Sequence, residues 1–366
     1  MLSDRILGID ASGIRKVFDL AATMKDPINL SIGQPHFDTP EPVKEAAIAA
    51  IRAGFNRYTV TQGIPELHAA IRAMLRDQKQ FEPEATLITS AVSGGLVLAF
   101  LATVNPGDEV IIPDPYFVMY KHLVTLCSGK AVFLDTYPDF RLRREALEPL
   151  ITPRTKMIVL NSPCNPTGVV YTADELRMVA DLVRGRNVLV VSDETYDAFV
   201  YCGGYPSMAT VHPPTLLLGG FSKTYAMTGW RLGYAAGPKA LISEMTKLQQ
   251  YTFVCAPSFA QQAGIVALEC DVSGRIAEYR RKRDLVYDGL RDAGYEVEKP
   301  EGSFYIFPRV PWGTDMEFAE EAIRNNVLLI PGSVFSERHT HFRIAYPVPD
   351  ETLRRGIEVL RRLARR

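Results

Sequence analysis

Between residues 86 and 236 the chain repeats one pattern: a short apolar run, then a stretch with helical spacing. The runs are Thr86–Ser90, Glu109–Ile112, Lys130–Phe133, Lys156–Leu160, Asn187–Ser192, Leu216–Gly219 and Leu232–Ala236. Helical spacing of apolar residues recurs at Ser93–Val104, Phe117–Cys127, Arg144–Ile151 and Thr172–Arg184. Strands that are apolar along their whole length belong to sheets covered on both faces. Alternation with helices makes such a sheet mostly parallel, since a parallel neighbour needs a crossover connection. The expected fold is therefore α/β: a mostly parallel seven-stranded sheet with helices on both faces. Ligands bind such sheets beyond the carboxyl ends of their strands.

After about residue 260 the pattern changes. Helices are expected at Gln261–Glu269, Gly274–Asp292 and Met316–Asn325 and at the end of the chain, with extended segments at Gly302–Phe307, Val327–Ile330 and His341–Ala345. This reads as a smaller α+β domain. Before the sheet, helices are expected at Arg15–Met24, Pro42–Ala53 and Pro65–Arg76, and a short strand opens the segment 31–40. A length of 366 residues suits two domains. We expect a large domain over 43–260 and a small one built from 1–42 and 261–366.

Composition narrows the function by exclusion. The formal net charge is −1, so no basic field draws nucleic acid or an anionic membrane. The basic runs at 280–283 and 361–366 read as solvated helix faces and a helix C-terminus. Five cysteines stand at 127, 164, 202, 255 and 270 with no C-x-x-C spacing, which suits a reduced, cytoplasmic compartment and no zinc site. The charged N-terminus is unlike a signal peptide, and the longest apolar stretch, near Val92–Val104, is too short to span a bilayer.

The chemistry centres on Lys223, in the segment GFSKTYAMTGWRLGY (220–234) where an apolar run breaks into a polar turn. A lysine held in a partly desolvated pocket has a lowered pKa and attacks carbonyls. Ser222-Lys223-Thr224 looks like the end of a phosphate-binding P-loop, but that motif needs Gly directly before the Lys, and Ser222 stands there. Eight residues on, Arg231 is a fixed cation. One lysine for an aldehyde and one arginine for an anion are the minimum for binding pyridoxal phosphate (PLP) covalently.

Distant segments supply matching groups. Asp193 ends the run NVLVVSD, where a buried carboxylate needs a cation. A protonated pyridine nitrogen would serve, and Tyr196 could donate to the ring's phenolic oxygen. A structural or metal-binding Asp193-Glu194 pair is the rival, without ligand-spaced partners. In NSPCNPTG (161–168) two prolines and a glycine shape a turn that aims Asn165 beyond the strand end, or leaves it as a local cap. Ser93, before Gly94-Gly95, starts a helix whose free N–H groups suit phosphate. Phe117 could stack on an aromatic ring or sit in the core. Arg343, among the apolar residues of HFRIAY, could capture a carboxylate bidentately or form a structural ion pair.

Taken together, NSPCNPTG, SDETY, GFSKTYAMTGWRLGY, EGSFYIFPR (301–309) and SGIRKVFDLA near the start resemble the class I/II, fold-type I PLP-dependent aminotransferases along essentially the whole chain. The pattern is most like the aromatic or broad-specificity and aspartate members. The resemblance implies that Lys223 bonds to the cofactor aldehyde and shuttles the substrate proton, and that Asp193 pairs with the pyridine nitrogen. It implies that Asn165 and Tyr196 hold the ring oxygen, and that Ser93, Ser222 and Arg231 bind phosphate. It also implies that Tyr58 reaches the phosphate of a neighbouring subunit in a homodimer, and that Gly33 and Arg343 take the substrate α-carboxylate. Many relatives carry a Gly-rich turn where this chain has Ala91-Val92, and aspartate-type bacterial relatives carry Lys where it has Ser93.

The implied activity is transfer of the amino group of an L-amino acid (aromatic, aspartate or another neutral donor) to a 2-oxo acid such as 2-oxoglutarate, by a ping-pong mechanism. A C–S β-lyase or other fold-type I PLP enzyme is the alternative.

Overall fold

A computed structural model describes residues 2–9, 13 and 24–365. The expected helix at Arg15–Met24, apart from Met24, which is a bend, and most of the segment SGIRKVFDLA lie outside the described residues. β1 (Ile28–Asn29) pairs in parallel with β10 (Val327–Leu328), which ties the N-terminal segment to the C-terminal part of the chain. The short strand thus precedes residues 31–40, which contain none.

All seven apolar runs form one sheet. Its strands are β2 (Ala85–Ser90), β3 (Glu109–Asp114), β4 (Lys130–Asp135), β5 (Thr155–Asn161), β6 (Leu189–Asp193), β7 (Leu216–Gly220) and β8 (Leu232–Gly237), in the spatial order β2-β8-β7-β6-β5-β3-β4. Helices cover both faces. On one, Leu96, Ala99 and Phe100 pack with Val110, Val159, Val191 and Leu218. On the other, Ile71, Leu217 and Ala263 share a core with Tyr234. Leu216, Leu217 and Leu218 have no exposed surface, so each contributes about 2–3 kcal/mol of apolar burial.

One strand breaks the parallel rule. β8 runs antiparallel to both neighbours, pairing Ser90 with Leu232 and Gly220 with Gly233. Its amino end therefore lies at the edge where the other strands have their carboxyl ends. Close approach is needed there: a Cβ on Gly233 would meet the Ala91 carbonyl carbon at 2.6 Å.

β9 (Tyr305–Ile306), β11 (Ile330–Pro331) and β12 (Phe342–Ala345) form a second, antiparallel sheet in the order β11-β12-β9. Helices Ser273–Asp292 and Asp350–Ala364 pack on one another beside it. Leu353, Ile357 and Leu360, spaced four and three apart, put one face of the terminal helix into this core. The helix Ser258–Glu269 runs across position 260, and its Ala263 and Ala267 share a core with Val43 and Leu67.

Candidate active site

Strand register builds the site. β5 and β6 end side by side, with Asn161 opposite Asp193, and Leu218 of β7 lies opposite Asp193 on its other side. β7 stops at Gly220, and three residues later Lys223 turns into a cavity of about 450 Å³. The same cavity is lined by Asp193, Asn165, Tyr196 and Phe117 from the large sheet's loops. Ser93, Ser222 and Arg231 line it as well, and Gly33 and Arg343 close it from the C-terminal side.

Lys223 is the unusual charge. Its Nζ donates to the Gly33 carbonyl at 2.8 Å and has no carboxylate within ion-pair distance among the described residues. Burial, together with the nearby guanidinium groups of Arg343 and Arg231, lowers its pKa to about 8; Asp193 opposes this weakly. Roughly a tenth of the amine is therefore neutral at pH 7, far more than for an ordinary lysine, as a nucleophile or base requires.

Asp193 is met by donors rather than by a cation. Tyr120 Oη donates to Oδ2 at 2.7 Å, and Thr195 gives Oδ1 its backbone N–H at 3.1 Å and its hydroxyl at 2.6 Å. Burial still pushes its pKa up, against the hydrogen bonds from Thr195 and Tyr120 that hold it down. Asn161 Nδ2 donates to the Asp193 carbonyl at 3.0 Å and its Oδ1 accepts from the Asn165 N–H at 2.8 Å, so one amide couples both loops.

At the other end, Arg231 Nη2 donates to Ser93 Oγ at 2.8 Å. The backbone there is strained: Ala91 and Arg231 hold φ of 56° and 54°, and the Ala91 N–H donates to the Arg231 carbonyl at 3.2 Å. Ala91 thus adopts the conformation that a glycine would take freely, at a cost of about 1–2 kcal/mol. The helix Ala91–Thr103 begins two residues earlier than expected, which makes Ser93 its third residue rather than its first. The early N–H groups of that helix have no partner within it and suit a phosphate.

Arg343 sits in β12, is 1% exposed, and is stacked between the rings of Tyr305 at 4.4 Å and Phe335 at 4.5 Å. Its Nη1 donates to Asn165 Oδ1 at 3.0 Å and its Nη2 to the Ser31 carbonyl at 2.8 Å. Its Nε is buried with no partner. The expected rival, a structural ion pair, is absent among the described residues. Tyr196 Oη lies 2.9 Å from Tyr305 Oη, and burial pushes the pKa of Tyr196 well up, so it stays a donor.

Two expected site residues stand apart. Gly94 does not line the cavity; a Cβ there would meet Ser90 Cβ at 3.1 Å. Tyr58 is 84% exposed and also lies outside it. The structure adds Tyr120, Asn161, Thr195 and Tyr305, which the motifs did not single out as partners. Tyr305 lies within EGSFYIFPR, so that motif was the available signal for it. Among the described residues no group of three His, Cys, Asp or Glu side chains could hold a metal, and no helix is long and apolar enough to cross a membrane.

These groups fit PLP. The cavity offers a desolvated amine, a buried carboxylate, a partnerless guanidinium nitrogen and a helix start beside an arginine. On this sheet they define a fold-type I PLP site. The family model "Aminotransferase class I and II" matches residues 25–360. A probable aspartate aminotransferase of Methanocaldococcus jannaschii is 38% identical over 99% of this chain and 100% of its own length. Aromatic-amino-acid aminotransferase 2 of Thermococcus litoralis is 37% identical over 98% of this chain and 96% of its own. The solved aspartate aminotransferase of Thermus thermophilus with maleate superposes with a TM-score of 0.96 at 35% identity, covering 99% of each chain. The chain belongs to the class I and II aminotransferases, and it is a transaminase with pyridoxal 5′-phosphate as its cofactor.

Proposed function

We propose that this enzyme moves the amino group of an aromatic or other neutral L-amino acid, or of aspartate, to a 2-oxo acid such as 2-oxoglutarate, using one site for both substrates in a ping-pong cycle. The observation that carries the reading is the pairing, in one cavity, of Lys223 as a partly neutral amine with Arg343, whose buried Nε has no partner. The names of the relatives support the substrate range, since they include aspartate and aromatic-amino-acid aminotransferases. Val92, Leu96, Phe117 and Val118 line the cavity and suit an uncharged side chain.

When bound, PLP supplies an aldehyde that takes up the amino group and an electron-poor ring that stabilises negative charge at the substrate Cα. Arg343 grips the substrate α-carboxylate with its fork, and Gly33 leaves room beside Tyr305 for that group. Lys223 Nζ would hold the cofactor aldehyde and, once released by the incoming substrate amine, would take the Cα proton. Asp193 would keep the ring nitrogen protonated, Asn165 and Tyr196 would donate to the ring oxygen, and Phe117 would pack against the ring. Ser93, Ser222 and Arg231 take the phosphate, with the N–H of Gly94 at the helix start. Tyr58, exposed in one chain, reaches the phosphate site of a second copy, so the active unit is a homodimer. The free cysteines suit a cytoplasmic setting.

The test is a panel of L-amino acids with 2-oxoglutarate. Added donor without acceptor bleaches the yellow cofactor, and acceptor restores it. Release of pyruvate and ammonia from cysteine-type donors with no transfer to any oxo acid would overturn the reading in favour of elimination. Sedimentation of a monomer would remove the role of Tyr58.

A further inference from the structure

Lys79 closes the helix Pro65–Lys79 outside the cavity, yet its side chain is only 6% exposed. Its Nζ lies 2.6 Å from Glu194 Oε2 and 2.7 Å from Asp197 Oδ2, and 4.7 Å from the centre of the Tyr205 ring. Glu194 has no exposed side-chain surface; its Oε1 accepts from Ser192 Oγ at 2.9 Å and Ser207 Oγ at 2.6 Å. Tyr205 Oη donates to the Ser162 carbonyl at 2.9 Å, on the loop that carries Asn165. One positive and two negative charges thus sit behind Asp193, and both sequence neighbours of Asp193 belong to the cluster.

We propose that Lys79 is a positioning residue for the transamination site: by balancing Glu194 and Asp197 it keeps the 192–197 segment in register and Asp193 ionised toward the cofactor ring nitrogen. The inference rests on the role given to Asp193 above. The groups facing Asp193 are Tyr120 and Thr195 as donors, Glu194 as a like charge and Lys223 across the cavity. Burial pushes Asp193 up, and Glu194 adds to that push. Burial pulls Lys79 down, but Asp197 and Glu194 more than reverse it, so Lys79 stays charged. Without that charge the buried carboxylate of Glu194 and the partly exposed one of Asp197 stand unbalanced beside a third. The excess lies nearer the carboxylate than the ring, so the shared proton shifts from the ring nitrogen to Asp193.

The experiment uses the holoenzyme loaded with ring-15N-labelled PLP, read by 15N NMR, and the pH dependence of PLP binding to the apoenzyme. Lys79→Met is expected to move the ring nitrogen toward its unprotonated shift, weaken PLP about ten-fold and raise the acid midpoint of binding by about one unit. Lys79→Arg keeps wild-type values, and Lys79→Met/Asp197→Asn, which restores the charge, returns toward them. Asp197→Asn alone lowers the acid midpoint, which tests the idea even where Lys79→Met does not fold. A folded Lys79→Met with wild-type shift and affinity, or an Asp197→Asn with an unmoved midpoint, overturns the proposal. Asp193→Asn separates the two readings. If it too leaves the ring protonated, the role of Asp193 fails. If it alone removes the ring proton, only the role of Lys79 fails.

Discussion

Arg343 Nη1 donates to Asn165 Oδ1 at 3.0 Å, so the residue proposed for the substrate carboxylate is held by the residue proposed for the ring oxygen. The bond joins β12 to the loop after β5, and it leaves Nε free for a ligand.

Replacing that fork by a point charge separates binding from folding. Arg343→Lys is expected to lower kcat/KM for both substrates by about 10²–10³-fold, since one ammonium cannot replace two parallel N–H donors. Arg343→Met loses the same binding but melts no lower than the wild type. The buried guanidinium has no carboxylate partner among the described residues, so its removal relieves a desolvation cost. Steady-state kinetics and calorimetry check the two halves.

Lys223 makes stability depend on pH with a defined sign. Its folded pKa, about 8, lies below the ordinary lysine value of 10.5, so between these values the unfolded chain binds the extra proton. Stability of the apoenzyme then rises with pH across that window, and below it the full cost of the buried charge is felt. Against Lys223→Ala, denaturant unfolding should show a wild-type deficit at pH 7 of up to ~3 kcal/mol that closes by pH 10.5. A flat difference would contradict the lowered pKa.

Tyr120 holds Asp193 Oδ2 at 2.7 Å, a hydrogen bond to a carboxylate. Such a bond is worth about 1.5–3 kcal/mol, so Tyr120→Phe should weaken PLP binding by at least about ten-fold. Because the lost donor held the carboxyl pKa down, the acid limb of cofactor binding should also move to higher pH. Fluorescence titration of the apoenzyme over pH measures both.

Tyr305→Phe removes the 2.9 Å contact with Tyr196 Oη and the 3.4 Å contact with the Gly33 carbonyl. The ring still packs against Arg343 at 4.4 Å. We expect a loss near 1 kcal/mol in stability and a several-fold fall in kcat, much smaller than for Arg343. A collapse of activity equal to that of Lys223→Ala would assign Tyr305 a direct chemical role.

The sequence made the seven strands legible because most are apolar runs buried over much of their length, as in Val190-Val191 and Leu216–Leu218, whereas β4 at the sheet edge buries only Leu134. It did not reveal that β8 runs backwards, since strand direction leaves no mark on an apolar run. Lys223, Asp193, Asn165 and Arg343 stood out because charged or amide groups next to buried strands need a reason. Tyr120 and Tyr305 did not, because their rings are core residues and only their hydroxyls reach the site. Ser93 was placed at the wrong helix position because the turn begins at Ala91 in a backbone state typical of glycine.

The reversal of β8 has a consequence for how such a catalyst diversifies. Lys223 and Arg231 hang on the one return, residues 221–231, between two adjacent, mutually hydrogen-bonded strands, so the placement of one is tied to that of the other. On the roles proposed above, that return would set the separation between the groups that hold the reactive carbon and the anionic tail of one vitamin B6 molecule. The other walls come from separate segments of the chain, so substrate preference can be rewritten there while the gauge stays unaltered.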